Sequence, residues 1–410
     1  MSTNDRRPAE ALRRVLDRPL ASYQLVLGAS ALLVGLGLVM VLSSSSVLAY
    51  RSGGNSYGIV MRQGLFAVLG LIGAFAAMRL PMAWLRRGAA MLLAGVFGLM
   101  LLTLVPGIGV EVGGNRNWLP VAAGFRLQPS EFAKLALIIW IAALYAQRQK
   151  ALHGPRSTHA MLMPVVPVAG VVTGLVVLQK DLGTALVLFA VIFGMLWAVG
   201  LPRRLVAVGA TLVGVALALL VATAPHRVDR LFNFIDPMSD PERTGYQAIH
   251  SMMALATGGF WGVGLGGSRQ KWGALPNAHT DFILAVVGEE LGLFGTLIVL
   301  VLFVVLTVAG VRIALRTKDP FAHYHAIGIT VWISCQAAIN IGMVLGLLPV
   351  IGITLPLMSY GGSSLLITMT ALGLLARCAL TEPGAERARK ARKPAAGRST
   401  STPSRPQKVR

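Results

Sequence analysis

The sequence predicts an all-α polytopic membrane protein with about ten transmembrane helices. Of its 410 residues, 55% are hydrophobic and only 13% are charged, whereas soluble domains carry roughly 25% charged residues. The mean hydropathy is +0.69. Apolar runs of about 18 or more residues recur along the chain, and a helix of that length can cross a bilayer.

The ten predicted spans follow one another from the first apolar run, which begins near Tyr23. That run is too long for the apolar region of a cleavable signal, so it is expected to be a signal anchor. The eighth span is longer than a bilayer requires, and its last turns, up to Arg316, are expected to extend into the cytosol. The spans cover residues 23–48, 57–79, 87–106, 129–147, 160–179, 182–200, 203–224, 281–316, 322–349 and 361–381.

The basic residues predict the orientation of these spans. The formal net charge is +21, and the cations cluster in both tails and in the loops after spans two, four, six and eight. All of these segments lie on one side if the number of spans is even, which places both termini in the cytoplasm. The same distribution argues against nucleic acid as the partner of this charge.

Three regions are therefore predicted: a basic tail over 1–22, a membrane domain over 23–381 and a basic tail over 382–410. Composition predicts that the second tail is disordered. It is either simply solvated, or it contacts the anionic inner leaflet or a cytosolic partner.

The longest outer connection, 225–280, contains the apolar, glycine-rich run "GYQAIHSMMALATGGFWGVGLGG". Such a run is expected to pack into the bundle or to lie at the membrane surface. Cys335 and Cys378 lie in apolar segments without metal-ligand spacing, so the sequence predicts neither a disulfide nor a metal site from them.

Asp281 stands where the polar part of "GALPNAHTDFILAVVGEELG" meets an apolar helix. One interpretation is a helix cap, because a carboxylate favours the first turn. The other is a general base at the outer membrane boundary, where substrate can reach it. Glu289 and Glu290 follow about 12–13 Å further along the helix. Two adjacent acids should not share one groove, so structural pairing and a proton relay are both open.

Other polar residues gather on the same predicted face. Glu131 and Lys134 are three apart, so they either form a local ion pair or line a cavity that presents Lys134 to a phosphate. Asp181 is a helix cap or a site residue. The serines of "TLPLMSYGGSS" stabilise a turn or bind ligand oxygens. The set predicts an outward-facing site for an anionic substrate that arrives through the membrane. It comprises Arg116, Glu131, Lys134, Asp181, Lys271, Asp281, Ser359 and Ser363.

Four motifs, "LQPSEFAKLA", "QKDLGTALV", "LPNAHTDFILAVVGEELG" and "GLLPVIGITLPLMSYGGSSLL", resemble the SEDS family, the shape, elongation, division and sporulation proteins. The match runs from about Ser22 to Leu380 and is closer to the division members. The resemblance implies a ten-span peptidoglycan glycosyltransferase that polymerises lipid II at the outer face of the cytoplasmic membrane. The protein is then expected at the division septum. The essential carboxylate of the family maps to Asp281.

The resemblance also implies partners and roles. The expected partners are a class B penicillin-binding protein and other divisome proteins. Lys134, Arg116 and Lys271 are expected to neutralise the leaving pyrophosphate. A divalent cation, Mg²⁺ or Mn²⁺, could share that role, although the sequence has no dedicated metal site. The chain departs from the family at Asn277, usually an acid, and at Lys180, usually a proline. Lys180 is expected to pair with Asp181.

Two other functions fit the sequence. In a lipid II flippase, Glu289, Glu290 and Lys134 would line a path across the bilayer. A non-enzymatic scaffold would recruit division proteins through the tails, and it would not need the carboxylate of Asp281.

Overall fold

A computed structural model describes residues 18–112, 114–121, 125–152, 157–222, 234, 236–242 and 245–392. Within these residues the chain forms a helical bundle with one small antiparallel sheet. The helices, in chain order, are α1 (Ala21–Gly53), α2 (Gly58–Arg79), α3 (Met82–Leu104), α4 (Pro129–Gln147), α5 (Gln149–Leu152), α6 (Ser157–Leu162), α7 (Val165–Leu178), α8 (Leu182–Ala198), α9 (Arg203–Ala222), α10 (Tyr246–Gly258), α11 (Ile283–Arg316), α12 (Pro320–Val344), α13 (Gly362–Ala379) and α14 (Pro383–Arg392).

The predicted helical membrane fold is confirmed. Eight helical segments of the described chain are long and apolar enough to cross a membrane, with α6 and α7 counted together. The two other predicted spans correspond to α8, a shorter apolar helix, and to α9. A turn at Met163 and Pro164 interrupts the fifth span, because proline cannot continue the hydrogen-bond ladder of a helix.

A three-stranded hairpin unit, which the sequence did not predict, lies in the connection before α4. Its strands are β1 (Val110–Val112), β2 (Asn115–Pro120) and β3 (Arg126–Leu127), paired antiparallel in that order. Burial alternates along β2, with Asn117 buried and Arg116 exposed. Such alternation is expected for a strand that packs one face against the protein and exposes the other. Pro120 pairs with Arg126, so Arg116 and Arg126 share the exposed face.

α11 is broken at Gly292, where φ is 66° and ψ is −162°. The backbone groups freed by the break bond with the segment after α10. Leu293 N donates to Gly259 O at 2.9 Å, and Val263 N donates to Glu289 O at 3.0 Å. In this way irregular backbone inside the bundle keeps its hydrogen bonds.

The part of α11 before the break, Ile283–Glu290, is called the half-helix below. A Cβ on Gly288 would lie 3.3 Å from Thr296 Oγ1, although a straight helix separates residues eight apart by about 12 Å. The half-helix therefore folds back on the rest of α11. Leu293–Arg316 is about 36 Å long and can span the bilayer alone. The prediction of one continuous span over 281–316 was wrong, and the inserted half-helix explains the excess length.

Within the long outer connection, the apolar run over residues 245–267 packs against the bundle, which is one of its two predicted placements. A Cβ on Gly258 of α10 would overlap the carbonyl oxygen of Gly288, and a Cβ on Gly288 would overlap the side chain of Leu255, so the two helices are closely packed here. Every residue from Phe282 to Glu290 is buried. The half-helix is thus enclosed by protein on all sides, next to α12 and α10.

The C-terminal tail differs from its prediction over Pro383–Arg392. These residues form α14 instead of a disordered segment, because the alanines, arginines and lysines there are good helix formers. Residues 1–17 and 393–410, which complete the two predicted tails, lie outside the described residues.

Replacing Gly292 with Ala should lower the stability of the folded protein by about 3 kcal/mol. A Cβ there would overlap Gly262 N and lie 2.5 Å from Phe260 O, and the positive φ disfavours any L side chain. Thermal unfolding in detergent measures the effect. Gly28→Ala in α1 is the matched control, because a Cβ at Gly28 meets nothing within 4 Å. Equal melting temperatures for the two variants would contradict the assigned break.

Candidate active site around Asp281

Asp281 does not cap a helix. α11 begins at Ile283, its N-cap residue is Phe282, and no side chain caps it. The carboxylate of Asp281 has no hydrogen-bond or ion-pair partner within the described part of the chain. The side chain is half-buried, and a Cβ on Gly352 would lie 3.6 Å from its Oδ2. The helix-cap interpretation was wrong, and the carboxylate is free to meet a ligand.

The backbone around Asp281 is held firmly by side chains from distant parts of the sequence. Ser359 Oγ donates to Thr280 O at 2.6 Å, and Asn340 Nδ2 donates to Asp281 O at 2.7 Å and to Ile353 O at 2.6 Å. These bonds use backbone carbonyls and leave the Asp281 carboxylate unoccupied. The group is therefore positioned before any substrate binds, which is a requirement for efficient catalysis.

Burial raises the pKa of Asp281 from 3.8 to about 6. Among the described residues, no neighbouring charge contributes to this shift in pKa. It arises because burial removes water from the charged carboxylate and so disfavours the ionised form. A base with a pKa near the working pH is ionised yet still attracts a proton. Burial also lowers the pKa of the neighbouring His279, which favours its neutral form.

Positive φ values mark the same region. The non-glycine residues with positive φ in the described chain are Lys180 (63°), Asn277 (58°) and Leu357 (66°). They lie next to Asp181, before Asp281 and before Ser359. Such conformations cost free energy and cluster at functional sites. Asn277 suits its position, because asparagine tolerates the left-handed region better than most residues.

Lys180 does not pair with Asp181, contrary to the prediction. Its side chain is exposed, and the ion pairs of the described chain do not include it. Its φ of 63° is closed to proline, whose ring fixes φ near −65°. The turn between α7 and α8 therefore differs from one built around proline, and it directs this lysine to the surface.

Asp181 is the N-cap of α8. It accepts hydrogen bonds from Thr184 N at 3.0 Å, Asn117 Nδ2 at 2.9 Å and Gln128 Nε2 at 2.9 Å. The cap interpretation is correct, and the same carboxylate also ties the hairpin of β1–β3 to the bundle. With these donors and 9% exposure, the Asp181 carboxylate is engaged within the protein and supports the hairpin.

The two candidate serines also hold backbone. Ser363 Oγ accepts from Gln128 N at 3.2 Å, which joins α13 to the residue before α4. Ser359 Oγ accepts from Leu355 N at 2.8 Å, in addition to its bond with Thr280. Both hydroxyls are engaged within the turn, so the geometry favours the structural interpretation over ligand binding.

Lys134 is enclosed in the bundle. Its Nζ lies 2.7 Å from Glu131 Oε1 and donates to Gln336 Oε1 at 2.9 Å, and its exposure is 1%. The local ion pair predicted from the spacing is present, but the structure does not present Lys134 to a phosphate. Gln336 Nε2 in turn donates to Thr354 O at 3.0 Å. The pair thus supports the 352–354 backbone that passes beside Asp281.

Glu289 and Glu290 both face the segment Ser268–Lys271, so the prediction that they cannot share one groove was wrong. The half-helix ends at these acids, and the segment wraps around its end. Lys271 Nζ lies 3.7 Å from Glu290 Oε1 and donates to Gly266 O. Lys271 is therefore engaged, and neither acid lines an open path.

Free cations remain on the hairpin. Arg116 and Arg126 are exposed and take part in none of the ion pairs found among the described residues. Arg126 was missed by sequence reasoning. So were the amides that hold the site together, which are the buried Gln63, Asn117, Gln336 and Asn340 and the half-buried Gln128. These residues could have been recognised in the sequence as neutral amides inside or beside apolar runs, because a buried polar group needs a hydrogen-bond partner.

The described residues contain no group of three or more His, Cys, Asp or Glu side chains that could hold a metal ion. Asp281 offers a single free carboxylate. The residues present therefore do not fit a dedicated divalent-metal site built by the protein.

A model of the cell cycle protein family FtsW/RodA/SpoVE matches residues 23–382. The chain belongs to this family. An FtsW/RodA/SpoVE relative from Mycobacterium tuberculosis, named probable peptidoglycan glycosyltransferase FtsW, is 43% identical over 379 residues, which cover 92% of this chain and 72% of the relative. The relative of the same name from Nitrosococcus halophilus is 44% identical over 358 residues, or 86% and 90% of the two chains.

Solved structures of the family agree with the fold. One is from a peptidoglycan synthase complex that coordinates polymerization and crosslinking, with a TM-score of 0.68 and 32% identity over 87% of this chain and 97% of that one. Another is the rod shape determining protein RodA of Thermus thermophilus, with a TM-score of 0.64 and 29% identity over the same shares. The family resemblance stated from the four motifs is confirmed, and the chain is a multi-pass membrane protein.

Proposed function

We propose that this chain is a peptidoglycan glycosyltransferase that polymerises lipid II, with Asp281 as the general base. The observation that carries the proposal is the half-buried carboxylate of Asp281, which is held through its backbone, lacks any partner among the described residues and has a pKa of about 6. The names of the relatives support the reaction class.

The reaction joins two sugar chains. The 4-hydroxyl oxygen of the acceptor GlcNAc attacks C1 of the donor MurNAc, and the bond from C1 to the pyrophosphate oxygen breaks with inversion. The electron pair leaves on undecaprenyl pyrophosphate, and the hydroxyl proton moves to Asp281. Because an alkoxide is far more basic than a carboxylate, Asp281 cannot remove the hydroxyl proton in advance, and proton transfer accompanies the attack. Help of this kind contributes about 10²–10⁴-fold.

The leaving pyrophosphate needs positive charge. Lys134 and Lys271 form ion pairs with Glu131 and Glu290. Of the three cations predicted from the sequence, Arg116 is therefore the one available to the pyrophosphate. Arg126 lies on the same exposed face of the hairpin and is also available. The N-terminus of the half-helix adds a partial positive charge beside Asp281. The mechanism has no step through a divalent metal, because the described residues do not form a site for one.

A class B penicillin-binding protein is the proposed main partner, and the division septum of the cytoplasmic membrane is the proposed location. A structural relative from a synthase complex that couples polymerization to crosslinking supports the first. The relatives named FtsW and the division-like motifs support the second, together with an association with other divisome proteins.

The flippase alternative loses its structural support. It needs Glu289, Glu290 and Lys134 along an open path, whereas each of these side chains is buried and bonded. The scaffold alternative needs no free carboxylate at Asp281.

The test uses proteoliposomes with wild-type protein, a class B penicillin-binding protein and purified lipid II. Glycan polymer that a muramidase digests is the expected product. Transport of lipid II across the membrane without any polymer would contradict the proposal and favour the flippase. Neither polymer nor transport, from folded and partner-bound protein, would favour the scaffold.

A further inference from the structure

A segment between α10 and the site, residues 259–272, is called the strap below. We propose that Glu290, assisted by Glu289, is a positioning residue that fixes Asp281 by fastening the strap to the end of the half-helix. This inference rests on the proposed function for its kinetic consequences, but its structural consequence can be measured without substrate.

Glu290 is a junction of three chain segments. Both of its carboxylate oxygens accept from Ser43 Oγ of α1, at 2.6 and 2.7 Å. Oε1 also accepts from Ser268 N at 3.3 Å and lies 3.7 Å from Lys271 Nζ. The residue is 1% exposed. A buried carboxylate with this many donors holds its neighbours in one arrangement, since losing it would leave several polar groups unpaired.

Glu289 fastens the same segment from the preceding position. Its Oε1 accepts from Arg269 N at 2.9 Å, and its Oε2 accepts from Ser268 Oγ. The backbone repeats the pattern, because Val263 N and Gly264 N donate to the carbonyls of Glu289 and Glu290, each at 3.0 Å. Side chains and backbone together thus join the strap to the last turn of the half-helix.

These contacts close a loop that carries Asp281. The chain leaves the junction at Ser268, passes Asp281 and returns to the junction at Glu290. On the outgoing arm, Leu275 N donates to Gln270 O at 3.0 Å and Phe282 N donates to Asn277 O at 3.2 Å. The returning arm is the half-helix, a rigid rod of about 12 Å.

Hydrogen bonds from α1 anchor the closed loop to the rest of the bundle. Besides Ser43, Arg51 of α1 contributes, because its Nη1 donates to Trp272 O at 3.3 Å. The two ends of the loop are therefore anchored to one long helix. If the junction opens, both arms gain freedom and the base loses its fixed position relative to the sugar hydroxyl. A misplacement of about 1 Å can cost on the order of a hundredfold in rate.

Glu290→Gln tests the proposal with little change in volume. We expect kcat for lipid II polymerisation to fall about tenfold, because Asp281 is less well placed. KM should change less than about twofold, because the arginines proposed to bind the pyrophosphate lie on the hairpin, outside the loop that loosens. Hydrogen exchange of the Thr280 and Phe282 amides, which donate to Asn277 O, should become faster in the protein without substrate. Ser43→Ala, which removes the α1 contact without changing charge, should shift both quantities in the same direction. Glu290→Asp should restore part of the loss.

Glu242→Gln is the matched control, because Glu242 is an exposed acid of the same long connection and should leave kcat and amide exchange unchanged. A lower melting temperature with wild-type kcat per folded molecule and wild-type amide exchange would overturn the proposal and leave Glu290 a purely structural residue. Absence of polymerisation by the wild type would instead contradict the proposed function, and the amide exchange would still decide the role of Glu290.

Discussion

Replacing Lys134 with Met should destabilise the folded protein by about 3–5 kcal/mol, the typical cost of removing one partner of a buried ion pair. The variant leaves the Glu131 carboxylate, whose side chain is 7% exposed, without its cation. It also removes the donor to Gln336, which supports the 352–354 backbone. Thermal unfolding in detergent, followed with a dye that reacts with exposed cysteine, measures the change.

Two further variants serve as controls for this result. Lys150→Met changes an exposed lysine at the end of the same region and should leave the melting temperature unchanged. The double variant Glu131→Gln, Lys134→Met removes both charges and should recover much of the stability lost in Lys134→Met. A single variant as stable as the wild type would show that Lys134 is hydrated, contrary to the enclosed position found here.

Asp281→Asn should reduce lipid II polymerisation by about 10²–10⁴-fold, the usual contribution of a general base. The exchange keeps the shape of the side chain and removes only its ability to take a proton. Product is measured from purified lipid II with the penicillin-binding partner present, after both forms are shown to be folded and bound to it.

Although Asp281→Asn should lower activity, it should not lower the stability of the folded protein. Burial raises the pKa of Asp281 from 3.8 to about 6, so the folded state holds the proton more tightly than the unfolded state between about pH 4 and pH 6. Above pH 6 the charged form destabilises the fold. The neutral amide should therefore leave the melting temperature at pH 7 unchanged or raise it. A marked drop would mean that the carboxylate has a structural partner.

The spans were predictable because they depend on local composition, whereas the break in α11 was not. The run from Phe282 to Val287 is as apolar as a true span, so hydropathy cannot separate the half-helix from the spanning part. Only contacts with residues 259–264 reveal that Gly292 ends one helix and begins another. Separate contacts, with Ser268 and Arg269, show that the chain wraps around the end of the half-helix, so that two adjacent acids face a single segment.

In the candidate site, too, some features follow from local spacing and others depend on contacts between distant parts of the chain. The pair of Glu131 and Lys134 followed from a spacing of three residues on one helix. The free carboxylate of Asp281 could not be deduced from spacing, because it depends on Asn340 and Ser359, more than fifty residues away in sequence. The sequence also overestimated the number of available cations, since the partners of Lys134 and Lys271 appear only in three dimensions.

The central claim, that Asp281 takes the proton from the acceptor sugar, is tested most directly by the pH dependence of polymerisation. With lipid II below saturation, kcat/KM of the wild type should rise with pH through a limb near pH 6, because the ionised carboxylate is the active form. The residual activity of Asp281→Asn should show no such limb. A limb near pH 6 that persists in Asp281→Asn would contradict the account and place the base on another residue.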